Sequence, residues 1–300
     1  MSTLGQRIAS HAGTWYVDNP LVLGAIIDAC IKTTPKEKQG KAKIVVSPHA
    51  GYVYCGVTQG QAYGALKVSD GETPVTTVFV LGPSHFLDIP DCAISPFRSF
   101  ETPFGDVPVN EGIVNELLAT EKFSLYDPDA DIGEHSIEMQ IPFLHRRFAG
   151  KLFTIVPIYV GELDLPKMRE YGKIFAKYLD DPSCVFAISS DFCHWGDRYD
   201  YKYVNKEWMS NEGDTISDSI TMLDLLAAEK IADLDIQGYV EYSDEYKSPI
   251  CGKNAIIIAM SAMEDVGFKG KGELAHYSQS DKVTTEDEFS VSYCAITFSF

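Results

Sequence analysis

Basic residues are scarce in this sequence relative to acidic ones. The 300 residues include 25 lysines and arginines against 43 aspartates and glutamates, which gives a formal net charge of −18. A surface this acidic repels the phosphate backbone of nucleic acids, so a nucleic-acid partner is not expected. The same charge is compatible with metal ions and with cationic partners.

Long apolar runs are also missing. The strongest run, Ala255–Met260, has six residues, whereas a membrane-spanning helix needs about 20 apolar residues. Residues 1–7 lack the basic-then-apolar pattern of a secretory signal. We therefore expect no membrane insertion, and we expect the protein in the cytosol, with the nucleus as a second location.

Paired cysteines and several well-known catalytic motifs are absent as well. The seven cysteines are scattered and form no CxxC pair, which is typical of free thiols in a reducing compartment. The sequence has no GxxxxGK phosphate loop, no strand-linked GxGxxG, no GxSxG elbow and no HExxH. These absences leave P-loop nucleotide binding, dinucleotide binding, serine hydrolysis and zinc-peptidase activity without support.

What the sequence does contain is a set of histidines that follow apolar runs. The run Ile44–Val46 is typical of a buried strand, and Pro48 ends that strand because it has no N–H for the next ladder bond. His49 follows at once, and a helix is predicted over Thr58–Lys67. Because ligands of open α/β sheets bind beyond the carboxyl ends of the strands, His49 is a candidate metal ligand or base. The alternative is a loop histidine that hydrogen-bonds a carbonyl group.

The same arrangement occurs twice more. A strand predicted at Thr77–Leu81 is followed by His85, and a strand predicted at Cys184–Ile188 is followed by Asp191 and His194. If the three strands are parallel neighbours, their carboxyl ends meet at one edge of the sheet. We then expect these side chains to lie close together.

Cys251 lies just before a helix predicted over Lys253–Met263. A helix N-terminus lowers the pKa of a nearby thiol and favours the thiolate, although most free cysteines are simply small buried apolar side chains. Imidazole, thiolate and carboxylate together suit iron, copper or zinc, and they disfavour magnesium and calcium. Asp191 and His194 could instead orient a ligand or move a proton. A Cys251–histidine hydrolase is an alternative, but it leaves the other histidines unexplained.

Two weaker predictions concern the segment around Pro142. Asp127–Gly133 is acidic and is predicted to be a loop, and Glu134–Arg147 is predicted to be helical, with Pro142 either kinking the helix or delaying its start. On such a helix His135 and Glu138 share one face. We interpret them as a surface or interhelical polar pair, or as a catalytic pair.

Six motifs, spread over almost the whole chain, resemble those of the Memo family and follow its order. They are His11–Tyr16, Pro48–Gly56, Leu81–His85, Glu134–Met139, Ser189–Gly196 and Ile250–Gly252. The animal member of this family is named as a mediator of cell motility driven by the receptor tyrosine kinase ErbB2. The resemblance implies a fold similar to that of class III extradiol (LigB-type) dioxygenases. We therefore predict one domain over residues 1–300, a three-layer α/β/α structure with a mixed central sheet.

The resemblance also implies a metal site. Its ligands would be His49, His85 and Cys251, and Asp191 and His194 would line the same pocket. The family is reported to bind iron or copper and to act in redox signalling and metal homeostasis; zinc is a third candidate. A thiolate in place of the carboxylate of the dioxygenases is softer and more easily oxidised, which argues against ring cleavage and favours redox use.

Two functions follow as expectations. The first is a metal-dependent redox protein, an oxidoreductase if it turns over. The second is a non-enzymatic adapter that binds a phosphopeptide of a signalling partner, with His49, His85 and His194 contacting its anion. A structural zinc site would need a fourth ligand that the sequence does not identify. One position departs from the family pattern, because Phe86 replaces a second histidine and so removes one candidate ligand or proton donor.

Overall fold

Fourteen strands form within residues 4–209, 211 and 213–300, the part of the chain that the computed structural model describes. They are β1 (Leu4–Arg7), β2 (Ala42–Ser47), β3 (Ser69–Asp70), β4 (Thr73–Pro74), β5 (Thr77–Pro83), β6 (Cys92–Ile94), β7 (Phe97–Phe100), β8 (Val107–Pro108), β9 (Phe123–Leu125), β10 (Thr154–Val160), β11 (Cys184–Ser189), β12 (His194–Trp195), β13 (Glu273–Gln279) and β14 (Ser290–Ser299).

Nine α-helices connect and cover these strands in the same described residues. They are α1 (Pro20–Lys32), α2 (Tyr52–Ala65), α3 (Glu111–Ala119), α4 (Pro128–Gly133), α5 (Ile141–Arg147), α6 (Leu165–Asp180), α7 (Ile216–Ala232), α8 (Ile236–Tyr246) and α9 (Lys253–Asp265). Short 3-10 helices form at Glu138–Gln140, Asp197–Tyr199 and Lys206–Trp208.

The main sheet is mixed, as predicted. Its strand order is β12-β14-β2-β11-β5-β10-β6-β9, and β13 pairs with β14. The four strands β2, β11, β5 and β10 are parallel, whereas β14 and β6 pair antiparallel to β2 and β10. Helices α6 and α9 pack on each other and on β11, while α1 and α2 pack on each other and α2 on β2. The prediction of a three-layer α/β/α architecture is confirmed.

The central strands end at the same level. Every residue of β2, β5 and β11 is buried, as expected for parallel strands that are covered on both faces. In the ladders Ser189 lies beside Ser47, and Ile188 lies beside Leu81. This register brings the segments that follow the three strands together at one edge of the sheet.

The second helix differs from its prediction. Helix α2 begins at Tyr52 rather than at Thr58 and ends at Ala65 rather than at Lys67, so Gly56 and Gly60 both lie inside the helix. The glycines face α1: a Cβ atom on Gly60 would lie 2.4 Å from the carbonyl carbon of Cys30. Their small size therefore permits the close packing of α1 and α2, a tertiary contact that the sequence alone does not reveal.

The predictions around Pro142 were partly wrong. Residues 127–133 are not a loop, because Asp127 caps the N-terminus of α4 and Pro128 occupies its first turn. The next α-helix, α5, starts only at Ile141 with Pro142 in its first turn, which confirms the delayed start. His135 lies between α4 and the 3-10 helix Glu138–Gln140 and belongs to neither. His135 and Glu138 therefore do not share a helix face.

All seven cysteines are free thiols, as predicted. Over the described ranges, no helix is both long enough and apolar enough to cross a membrane. The assignment of residues 1–300 to a single domain stays a prediction.

We expect Gly60→Ala to destabilise the fold strongly, because the new methyl group would overlap the backbone of α1. Backbone cannot move aside cheaply, so the loss of unfolding free energy should be on the order of 2–4 kcal/mol. Gly56→Ala is the matched control, since its Cβ would lie 3.5 Å from Cys30 Sγ, and a change within about 1 kcal/mol is expected. Urea unfolding of both variants measures this, and equal effects would contradict the packing argument.

Candidate metal centre

Three side chains from separate elements meet at the edge of the sheet. His49 follows β2, His85 follows β5, and Cys251 precedes α9. Their ligand atoms all lie within 4.8 Å of one another, and Cys251 Sγ lies 3.3 Å from His49 Nε2. A tetrahedral ion with metal–sulfur and metal–nitrogen bonds of about 2.3 and 2.05 Å needs a nitrogen–sulfur separation of about 3.5 Å. The separations of the donor atoms therefore suit a transition metal.

His49 is held in one orientation and one tautomer. Its Nδ1 lies 2.7 Å from Ser189 Oγ, and Ser189 donates its only proton to the Ser136 carbonyl at 2.6 Å. Ser189 can therefore only accept from His49 Nδ1–H, which leaves the lone pair on Nε2, the nitrogen next to Cys251. Burial lowers the pKa of His49 well below its ordinary value. The imidazole is thus neutral, the form that binds a metal.

His85 is oriented by a buried carboxylate. Its Nδ1 lies 2.9 Å from Glu134 Oε1, and its backbone N–H donates to Glu134 Oε2 at 2.5 Å. Burial raises the pKa of Glu134, but His85, His135 and the Ser136 N–H outweigh it and lower that pKa to about 2. The ionised carboxylate fixes the ring, an arrangement common among metal-binding histidines. Burial lowers the pKa of His85, but hydrogen bonds to Cys251 and Glu134 outweigh it and raise that pKa to about 10, so a metal would have to displace the proton on Nε2.

Cys251 reaches the site because its neighbour has no side chain. A Cβ on Gly252 would lie 2.4 Å from Ser190 Cβ, so only glycine lets this turn lie against the segment after β11. The thiol accepts a hydrogen bond from the Asp191 N–H at 3.2 Å. The prediction of a lowered thiol pKa was wrong: Cys251 lies outside α9, and burial raises the pKa of its thiol. Metal binding would have to displace the proton.

Asp191 and His194 lie beside the three donors. Asp191 Oδ1 accepts the His49 N–H at 2.8 Å, and its Oδ2 lies 3.9 Å from His49 Nε2. His194 Nδ1 lies 2.8 Å from the Phe192 carbonyl and 3.0 Å from the Pro249 carbonyl. Because both partners are acceptors, Nδ1 carries the proton and Nε2 is left for the pocket. Both residues line the wide pocket described next.

A wide pocket of about 760 Å³ opens over the donors. Its wall includes the aromatic rings of Trp15, Tyr54, Tyr199 and Phe289 and the guanidinium of Arg198. That guanidinium lies over Tyr199 and Phe289, 5.1 and 4.6 Å from their ring centroids. Within the described part of the chain, Arg198 forms no ion pair with a carboxylate. The pocket thus combines flat apolar surfaces with one guanidinium, and the carboxylates of Asp191 and Asp281 belong to the same wall.

Sequence reasoning missed the role of the segment around His135. The ring of His135 stacks on His85 with centroids 4.5 Å apart, and burial lowers its pKa to about 4. Glu138 is buried and accepts hydrogen bonds from Arg7 and Tyr16, so it is not a surface residue. The only signal in the sequence was two glutamates flanking one histidine, and its meaning depended on partners 49 to 131 residues away in the chain.

Phe86 lies apart from the donors. It is 57% exposed, and its ring packs against Gly133, where a Cβ would lie 3.0 Å from the ring. It lines neither of the two cavities that adjoin the donors. The expected loss of a ligand at this position is therefore not supported by its placement.

Asp224 supports the loop that carries Asp191 and His194. Its Oδ1 accepts the Cys193 N–H at 3.1 Å, and its Oδ2 accepts the Tyr277 hydroxyl at 2.9 Å. Burial outweighs these hydrogen bonds and raises the pKa of Asp224 to about 7. The loop therefore rests on a carboxyl group that titrates near neutrality.

Several known proteins are similar to this chain. The family described as Memo-like protein matches residues 7–297. The chain is similar to protein memo-1 homolog of Caenorhabditis elegans, with 37% identity over 293 residues, 96% of this chain and 81% of that protein. It is 35% identical to protein MEMO1 of Homo sapiens over 294 residues, 96% of each chain. A crystal structure of uncharacterized protein JW3007 from Escherichia coli K12 has a TM-score of 0.47 at 12% identity, covering 84% of this chain and 99% of that one.

We expect the contribution of Asp224 to the free energy of unfolding to fall as the pH rises from about 4 to about 7. In this interval the unfolded chain releases the Asp224 proton and the folded protein retains it, at about 1.4 kcal/mol per unit of pKa difference. Asp224→Asn should remove this part of the slope, whereas Asp88→Asn, at an exposed aspartate, should keep it. Denaturant unfolding at several pH values measures the slope, and an unchanged slope in Asp224→Asn would show that another group is responsible.

Proposed function

The chain belongs to the Memo family, and from this premise we propose that it is a metal-binding redox protein. His49, His85 and Cys251 would hold iron or copper. The observation that carries the proposal is the convergence of three donor atoms within 4.8 Å. Each histidine is also held in place through its Nδ1, by Ser189 for His49 and by Glu134 for His85. Through the family, the proposal extends to redox or metal-homeostasis signalling in cell motility and invasive growth.

The donor set supports iron or copper over harder ions. Two imidazoles and a thiol form a borderline-soft set, which disfavours magnesium and calcium and leaves zinc as a third candidate without redox chemistry. When bound, iron or copper would supply one-electron transfer and coordination positions open to the wide pocket. Ring cleavage is not part of the proposal, because a thiolate stands where the ring-cleaving dioxygenases have a carboxylate.

Asp191 and His194 are the residues we assign to proton movement. His194 presents Nε2 to the pocket while two carbonyls hold Nδ1, so it can exchange a proton with a pocket ligand without rotating. Asp191 fixes the backbone of His49 with one oxygen and keeps the other within 3.9 Å of His49 Nε2. The aromatic wall excludes water from one side of a bound ligand.

We expect His49→Ala and Cys251→Ser each to weaken Fe(II) or Cu(II) binding by more than about 100-fold, because each removes a ligand, and even loss of a supporting partner typically costs 10–100-fold. Ser189→Ala, which removes only the Nδ1 partner of His49, should have the smaller effect. His145→Ala is the control, since this histidine packs on Phe104 away from the site. Metal analysis and spin resonance on anaerobically purified protein measure stoichiometry and affinity; unchanged values in the ligand variants would refute the assignment.

One observation favours a second candidate function, a phosphopeptide adapter. Arg198 holds a guanidinium over two aromatic rings on the pocket wall, which suits an aromatic group that carries an anion. His49, His85 and His194 would then contact the anion, and the metal would be dispensable. The overall charge of −18 works against general phosphate affinity, so a binding site would depend on this one residue.

Calorimetric titration with a phosphotyrosine peptide, with and without a chelator, separates the two functions. For the adapter we expect binding that is indifferent to metal and at least about tenfold weaker in Arg198→Gln, because a charge-assisted hydrogen bond contributes roughly 1.5–3 kcal/mol. Arg169→Gln is the matched control, since Arg169 pairs with Glu264 on the surface of α6. Equal binding by wild type and Arg198→Gln would argue against the adapter.

A further inference from the structure

The donor atoms lie between two cavities. Besides the wide pocket, a cavity of about 200 Å³ adjoins the site. His85 lines both spaces, whereas His49 lines only the wide pocket and Cys251 lines only the small cavity. The three donors therefore form part of the wall between the cavities, and the thiol is reached from the small one.

The small cavity is acidic. Asp88 and Glu162 belong to its wall, which contains no lysine or arginine. Among the residues that the structure describes, neither carboxylate forms an ion pair. The wall of the wide pocket instead carries Arg198 beside Asp191 and Asp281, together with several aromatic rings. The two carboxylates of the small cavity, with no lysine or arginine among its described lining residues, favour a cation there.

A buried acceptor on the wall of the small cavity lacks a hydrogen-bond partner among the described residues. Asn254 lines the small cavity and is 7% exposed, and its Oδ1 accepts no hydrogen bond from the described residues. Its Nδ2 donates to the Gly161 carbonyl at 2.8 Å. Flipping the amide would lose this hydrogen bond, so the oxygen cannot gain a partner in that way. A buried acceptor of this kind costs about 1–3 kcal/mol unless something in the cavity satisfies it. A hydrated cation supplies such a donor.

We propose that the small cavity is the loading route through which a divalent transition-metal ion reaches Cys251 and His85. The proposal rests on the metal site of the proposed function. Asp88 and Glu162 attract the ion at the surface, Asn254 Oδ1 accepts a hydrogen bond from its water shell, and Cys251 and His85 are the donors that it meets on the cavity wall. The volume is ample for an ion with several waters. The metal can then be loaded while the wide pocket is occupied.

Stopped-flow uptake of Co(II) tests the route, with thiolate-to-cobalt absorbance as the signal. Compared with wild type, Asp88→Lys/Glu162→Lys should slow uptake by at least about tenfold at low ionic strength, and added salt should slow the wild type but not this variant. Both positions are exposed, so the variant should fold normally. Asp281→Lys, on the wall of the wide pocket, is the matched control and should leave the rate within about twofold of wild type. Asn254→Leu, which removes the buried acceptor, should also slow uptake.

The outcomes separate the route from the site. If wild type gives no cobalt–thiolate absorbance, the metal site itself is wrong and the route fails with it. If wild type binds Co(II) but Asp88→Lys/Glu162→Lys takes it up at the wild-type rate, the metal site stands and the loading route is overturned. Slow uptake in Asp281→Lys alone would place loading in the wide pocket and would also overturn the proposal.

Discussion

The common register of three buried parallel strands is the constraint on which the site depends. Because β2, β11 and β5 end at one level, the segments after them are forced into the same small volume. A slip of one residue in either ladder would turn every following side chain to the other face of the sheet. The strands are covered on both faces, so their apolar burial fixes this register far more firmly than the polar loops could.

Buried polar groups then set the orientation of the side chains. Ser189 holds His49, Glu134 holds His85, and two carbonyls hold His194. The segment that carries Glu134 is itself tied to β1, because Arg7 binds Asp131 at 2.7 Å and Glu138 at 2.6 Å. Breaking a buried ion pair leaves an uncompensated charge, which typically costs 3–5 kcal/mol. The site is therefore preorganised by charges that cannot easily move.

The two faces of the donor set differ in chemistry. One face is broad and aromatic, with Arg198 beside Asp191 and Asp281, and the other is narrow and acidic at Asp88 and Glu162. Such a division suits a centre that must receive a cation and also bind an organic partner.

Much of this could be predicted from the sequence, since strands and their ends are local features. Apolar runs closed by Pro48 and Pro83 located the strand ends, and the histidines beyond them were candidates for that reason alone. Other features depended on tertiary contacts: Glu134 reaches His85 from 49 residues away, and Ser189 reaches His49 from 140 residues away. The pKa of Cys251 was predicted with the wrong sign, because a helix start is visible in sequence whereas desolvation is not. Local periodicity thus determined which side chains arrive at the site, and long-range burial decided their protonation, orientation and access.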